Sequence, residues 1–76
     1  MIDVRLFATL PTRSATGRKE FQLDATPGLT VRQVIEGEGL KVGEVHIILI
    51  NGLHASLDSE LADGDRLGAF PPVGGG

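Results

Sequence analysis

The sequence contains no cysteine, and that absence removes disulfide staples, thiolate metal sites, iron–sulfur clusters and a cysteine nucleophile together. Basic charge is also scarce. Seven Lys and Arg stand against ten Asp and Glu, a net charge of −3, with no basic cluster among them. Nucleic-acid affinity rests on clustered Lys and Arg, so no nucleic acid is expected as a partner, and a basic protein surface suits this chain better. No apolar run approaches the ~20 residues that span a bilayer, and no charged-then-apolar leader opens the sequence. The expectation is therefore no membrane and a cytoplasmic location. No nucleophile–base pair stands out either, so no catalytic residue is assigned. His46 and His54 lie across a hairpin near Asp58 and Asp63, without the spacing of a metal site, and read as surface or hydrogen-bonded histidines and not as ligands.

What is present is one small domain. Its 76 residues sit near the lower limit for a self-sufficient core, so packing alone must hold the fold. "MIDVRLFATL" alternates with Ile2, Val4, Leu6, Ala8 and Leu10 in one phase, a half-buried strand. "PTRSATG" reads as a loop, and "RKEFQLD" as a second strand with Phe21 and Leu23 inward, pairing with the first as a hairpin. In "TPGLTVRQVIEG", Thr30 and Gln33 have capping-box spacing, Leu29 and Val34 flank the cap as a hydrophobic staple, and Val31, Val34 and Ile35 form an inward stripe. Gly37 and Gly39, within "EGEG", stop that helix. "EVHIILING" is apolar at nearly every position, which suits a central strand. Asn51-Gly52 predicts a tight hairpin into a short strand around Leu53 to Ala55. A turn at Asp63-Gly64-Asp65 then feeds a last strand, Arg66 to Phe70.

The element order β-β-α-β-(β)-β, on a chain this short, resembles the β-grasp fold of ubiquitin: an α+β architecture with a mixed sheet and one helix packed on it. "VRLFATL" near the start and "GDRLGAFPPVGGG" at the end make the resemblance sharper. They are similar to the MoaD/ThiS sulfur-carrier family, closest to the small subunit of molybdopterin synthase, whose members commonly end in Phe-Pro-Pro-Val-x-Gly-Gly. Gly74 stands where that family often has alanine. The resemblance implies a carrier, not an enzyme, with no bound cofactor. A ubiquitin-activating-type adenylyltransferase would use ATP to adenylate the Gly76 carboxylate. A sulfur donor protein would convert it to a thiocarboxylate, and the sulfur would pass to a precursor held by the partner, the large subunit of molybdopterin synthase, for molybdenum or tungsten cofactor synthesis. Alternatives on the same frame are a ubiquitin-like modifier joined to lysines through Gly76, a carrier for thiamine or cysteine synthesis, and an interaction domain with an idle tail.

The residues support delivery on physical grounds. Residues 1–72 read as the β-grasp domain and 73–76 as a flexible glycine tail. Pro71 and Pro72 fix φ and stiffen the root. Val73, Gly74, Gly75 and Gly76 form a slim tip for insertion into a partner's active site, because glycine has no Cβ to block a narrow tunnel. From Pro71 to Gly76 the chain reaches roughly 20 Å when extended. By composition alone a triple glycine is equally a frayed end. In the first strand the inward phase is even-numbered, so Phe7 points outward. In the last, Leu67 and Ala69 point inward and Phe70 outward. A β-grasp sheet sets these strands side by side, which brings the two rings together near the tail. With Pro71 and Pro72 they form the expected partner-binding face, joined by one phase of Val45 to Ile50. The competing arrangement has Phe7 folded over an edge to cap the core.

Overall fold

The computed structural model describes residues 1–72. Strand β1 (Ile2–Leu6) is followed by helix α1 (Leu10–Arg13), β2 (Glu20–Leu23), helix α2 (Val31–Gly37), a 3-10 turn (Val42–Glu44), β3 (Ile47–Ile50), β4 (Leu53–His54) and β5 (Arg66–Phe70). The five strands form one sheet in the order β2-β1-β5-β3-β4, with β1 and β5 parallel and the other neighbours antiparallel. This is the mixed sheet of a β-grasp fold. Alternation decides which face each residue takes. Val4 registers with Phe21 on β2 and Leu67 on β5, and Leu6 with Ala69, so the even phase of β1 lies over one continuous apolar face. Val31, Val34 and Ile35 of α2 complete the core against Ile2, Val4, Leu6, Ile48 and Leu67.

The start of α2 shows why the helix begins where it does. Thr30 and Gln33 close a capping box, each side chain accepting from the other's backbone N–H. The Val31 and Arg32 N–H groups donate to the carbonyls of Ser59 and Leu57, and that of Val34 to Thr30. All of the first-turn donors that a helix leaves open are thereby satisfied, two of them by the chain that returns over the helix. Leu29 packs against the core beside the cap. At the other end Gly39 adopts φ +79, the left-handed conformation that ends a helix.

Two local expectations are corrected. The first strand stops at Leu6. Ala8 takes φ 56, which breaks the alternation, and Leu10 enters the core from α1 instead of from the strand. The segment read as a loop thus carries a helical turn, with Pro11 in its first positions where a missing N–H costs nothing. The second correction concerns β3. The sheet's centre is β5, whereas β3 lies between β5 and the two-residue β4. Its apolar run reflects an inner face on the core and an outer face with a different use. The Asn51-Gly52 turn is as expected, with φ 53 and 81 at the two positions.

Candidate functional site: the outer sheet face and the root of the tail

The sheet face turned away from α2 is set by register. Arg5 of β1 lies opposite Gly68 of β5, Gly68 opposite Leu49 of β3, Phe70 opposite Ile47, and Leu49 opposite His54 of β4. All of these alternate with core positions, so they share the outer face. Phe7 continues the outward phase one step beyond β1, held in the ladder by its N–H donating to the Ala69 carbonyl at 3.0 Å. Its ring stacks on Phe70 with centroids 4.2 Å apart and planes 4° from parallel. The arrangement in which Phe7 caps the core is therefore not adopted. The two rings, Ile47 and Leu49 form an apolar area on the outside of a sheet whose core is already closed without them.

The rest of this face is polar and largely self-neutralised. Arg5 pairs with Glu20 across β1 and β2, and Gln22 donates to Asp3 at 2.7 Å. The groove between the rings and these polar groups is lined by Arg5, Phe7, Leu49, Arg66, Gly68 and Phe70.

The root of the tail adjoins the rings. Strand β5 ends at Phe70, whose carbonyl accepts from the His46 N–H at 2.7 Å. Pro71 and Pro72 have no N–H to extend the ladder, so the strand stops there. Pro71 is half-buried and Pro72 exposed, and both border a small cleft with Thr9, Arg13, Gly43 and Glu44. The short turn of α1 and the 3-10 turn thus flank the point where the chain leaves the domain. Arg13 stands 3.9 Å from Glu44 across that cleft. The remaining predicted site residues, Val73, Gly74, Gly75 and Gly76, lie outside the described residues.

The shifted ionisable groups sit at the opposite end of the sheet, where β5 begins. Hydrogen bonding to Asp63 raises the Met1 amine, and the same contact lowers Asp63. Asp65 is held below the ordinary aspartate value by the Ala62 N–H, then by the Asn51 side chain. These contacts fix the turn into β5 and lie far from the rings along the strand. Among the described residues, no cluster of three or more His, Asp or Glu is placed to hold a metal ion, and no helix is long and apolar enough to cross a membrane.

Phe7, Phe70, Pro71 and Pro72 are thus gathered at one end of the sheet, as the alternation implied. Ile47 and Leu49 were visible in sequence only as one of two apolar phases, because β3 is apolar on both faces. Gly68 and Arg66 were not singled out. The Leu67-in, Gly68-out, Ala69-in alternation was the signal that places Gly68 beside Phe7.

Comparison with known proteins bears on the family and the fold. The ThiS family model matches residues 4–76. No curated protein matches the chain in sequence. Among solved structures, SAMP1, the small archaeal modifier protein 1 of Haloferax volcanii, aligns with a TM-score of 0.72 at 26% identity, over 99% of this chain and 98% of that chain. A Pyrococcus furiosus chain provisionally described as molybdopterin converting factor subunit 1 aligns with a TM-score of 0.70 at 29% identity, over 95% and 97%. A Helicobacter pylori structure of subunits 1 and 2 of molybdopterin-converting factor in complex gives a TM-score of 0.62 at 28% identity, over 99% and 97%.

Proposed function

We propose that this chain, which belongs to the ThiS family, is a sulfur carrier that serves molybdopterin synthesis. Small proteins of this family are carriers or ubiquitin-like modifiers, and their role is to be acted upon. The observation that carries the reading is the apolar outer face formed by Phe7, Phe70, Ile47 and Leu49, set directly at the root of a glycine tail. An aromatic-rich patch beside the exit of a reactive terminus is what a docked carrier needs. It holds the partner while the tail enters the partner's active site. The subunit 1–subunit 2 complex from Helicobacter pylori supports a second subunit as the kind of partner.

The chemistry falls on Gly76. A ubiquitin-activating-type adenylyltransferase joins its carboxylate to AMP from ATP with loss of pyrophosphate, which turns a poor electrophile into a good one. Sulfide-level sulfur delivered by a donor protein attacks the acyl carbon and expels AMP, leaving the thiocarboxylate. Its sulfur then passes to a precursor held by the large subunit of molybdopterin synthase, and water restores the Gly76 carboxylate. Phe7, Phe70, Pro71 and Pro72 dock and aim. Val73 to Gly75 thread the tip into the partner.

The test is to incubate the protein with its cognate activating enzyme, ATP and a sulfur source, and to weigh it. Exchange of one terminal oxygen for sulfur is expected. Deleting Gly75 and Gly76 should abolish the exchange and leave the melting temperature unchanged, because the core is built from residues between Ile2 and Ala69. A truncated protein that still gained sulfur would place the site elsewhere.

The similarity to the Haloferax volcanii modifier protein favours a second reading, in which the same activated Gly76 is joined to lysines. Adenylation is common to both, so the fate of the acyl group decides. Lysates probed for the protein should show the free form. A ladder of adducts stable to denaturant and reductant, with Gly76 linked to lysine in mass spectra, would favour the modifier.

A further inference from the structure

Gly68 stands in the middle of the central strand, where glycine weakens a sheet through chain entropy and the loss of a packing side chain. The fold does not require it. Gly68 is absent from the positive-φ residues, and a Cβ built there would meet Phe7 Cε2 at 3.4 Å and Phe70 Cε1 at 3.8 Å, ordinary van der Waals separations. Gly39 differs: its φ of +79 and a Cβ contact of 2.7 Å with Ala15 account for it. A strand glycine that neither backbone conformation nor crowding explains often marks close approach by another molecule.

The surroundings define what would approach. Phe7 and Phe70 wall Gly68 on the tail side, and in register Leu49 flanks it from β3 and Arg5 from β1. Arg66 follows on the same face two residues along β5, about 7 Å away. Arg5 is engaged by Glu20, and Asp3, in register beside Arg66, accepts from Gln22. Arg66 is exposed and has no ion pair among the described residues. The place is a dimple with apolar walls and a cation at one end.

We propose that the dimple over Gly68 seats one apolar side chain of a protein partner, with a neighbouring partner carboxylate paired to Arg66, and that Gly68 is the specificity-determining residue of the docking face. The inference rests on the outer face being a docking face and is independent of what Gly76 carries. Any side chain at Gly68 projects into the space the partner's anchor occupies. Substitution there helps the sheet and harms docking.

The test has two arms. In the first, the full chain labelled with 15N is titrated with 4-phenylbutanoate, an apolar body with a carboxylate, and with the uncharged 4-phenylbutanamide. Saturable amide shifts centred on Phe7, Leu49, Arg66, Gly68 and Phe70 are expected in the millimolar range, with the amide at least threefold weaker. Gly68→Val should abolish the shifts, and Arg66→Gln should bring the carboxylate down to the amide's affinity. Gly68→Ala, whose Cβ fits without displacement, should melt no lower than wild type yet bind more weakly. Shifts that are absent, lie elsewhere or persist in Gly68→Val would overturn the proposal. In the second arm, calorimetry with the cognate large subunit should show at least tenfold weaker binding for Gly68→Val, and equal binding would also overturn it. If the wild type fails to bind the large subunit at all, the sulfur-carrier partner is wrong, while the first arm still decides the dimple.

Discussion

The stacked rings offer a measurement that needs no partner. Phe7 and Phe70 lie 4.2 Å apart and nearly parallel, each half-buried on a face that the core does not use. Removing either ring exposes one side of the other and loses the stack, which is worth about 0.5–1.5 kcal/mol beyond buried area. Phe70→Ala should therefore cost about 1–2 kcal/mol, more than the half kcal/mol of an ordinary surface change and well short of the 3–5 kcal/mol of a core phenylalanine. The decisive quantity is the coupling. In urea unfolding of wild type, Phe7→Ala, Phe70→Ala and the double variant, the two single losses should exceed the double loss by about 1 kcal/mol, because the stack can be lost only once. For a chain of this length each 1 kcal/mol corresponds to roughly 4–8 °C in melting temperature, so thermal melts can confirm it. Strictly additive losses would show that the rings do not stack in solution. Single losses of 3 kcal/mol or more would place a ring in the core. If the stack is also the docking surface, Phe70→Ala should weaken partner binding by about 2 kcal/mol or more, a larger effect than its cost to the free fold.

Two further perturbations test the frame that presents this face. Gly39→Ala must bear left-handed strain of about 1 kcal/mol together with a 2.7 Å contact with the Ala15 Cβ, whereas Gly28→Ala, at φ +76 with open space around it, bears the strain alone. Chemical denaturation should rank Gly39→Ala lower by about 1–3 kcal/mol, and adding Ala15→Gly should recover part of that difference, since the Ala15 backbone N stays 3.2 Å from the new Cβ; equal losses at the two glycines would refute the close contact. Asp65 is held below its ordinary value by the Ala62 N–H and then Asn51, so the carboxylate's contribution is complete above that value, 3.8, and is lost as pH falls through the lower folded value. The stability difference between wild type and Asp65→Asn should accordingly be constant near neutrality and shrink in acid below about pH 4, and a difference that grew with acidity would refute the assignment.

Much of this protein is determined by its sequence alone, where local chemistry leaves one solution. Period-two alternation placed Val4 and Leu6 inward and Phe7 outward, and the Thr30–Gln33 spacing marked the start of α2, because a capping box satisfies donors within one turn. Asn51-Gly52 marked its hairpin, because two consecutive positive φ angles favour that pair. The Phe-Pro-Pro root and glycine tail carried the family resemblance. Tertiary structure decided the rest. Alternation through Leu10 favoured a longer strand, but Ala8 in the left-handed region turns the chain into α1, and no local pattern announces a single non-glycine residue with positive φ. β3 is apolar in both phases, so only its pairing with β5 shows that Ile48 faces the core while Ile47 and Leu49 face out beside Phe70 and Gly68. The distance between the rings, the dimple over Gly68 and the cleft at Pro71 bring together residues far apart in the chain. Strand order sets those meetings, and strand order is fixed by packing all of the elements around one core.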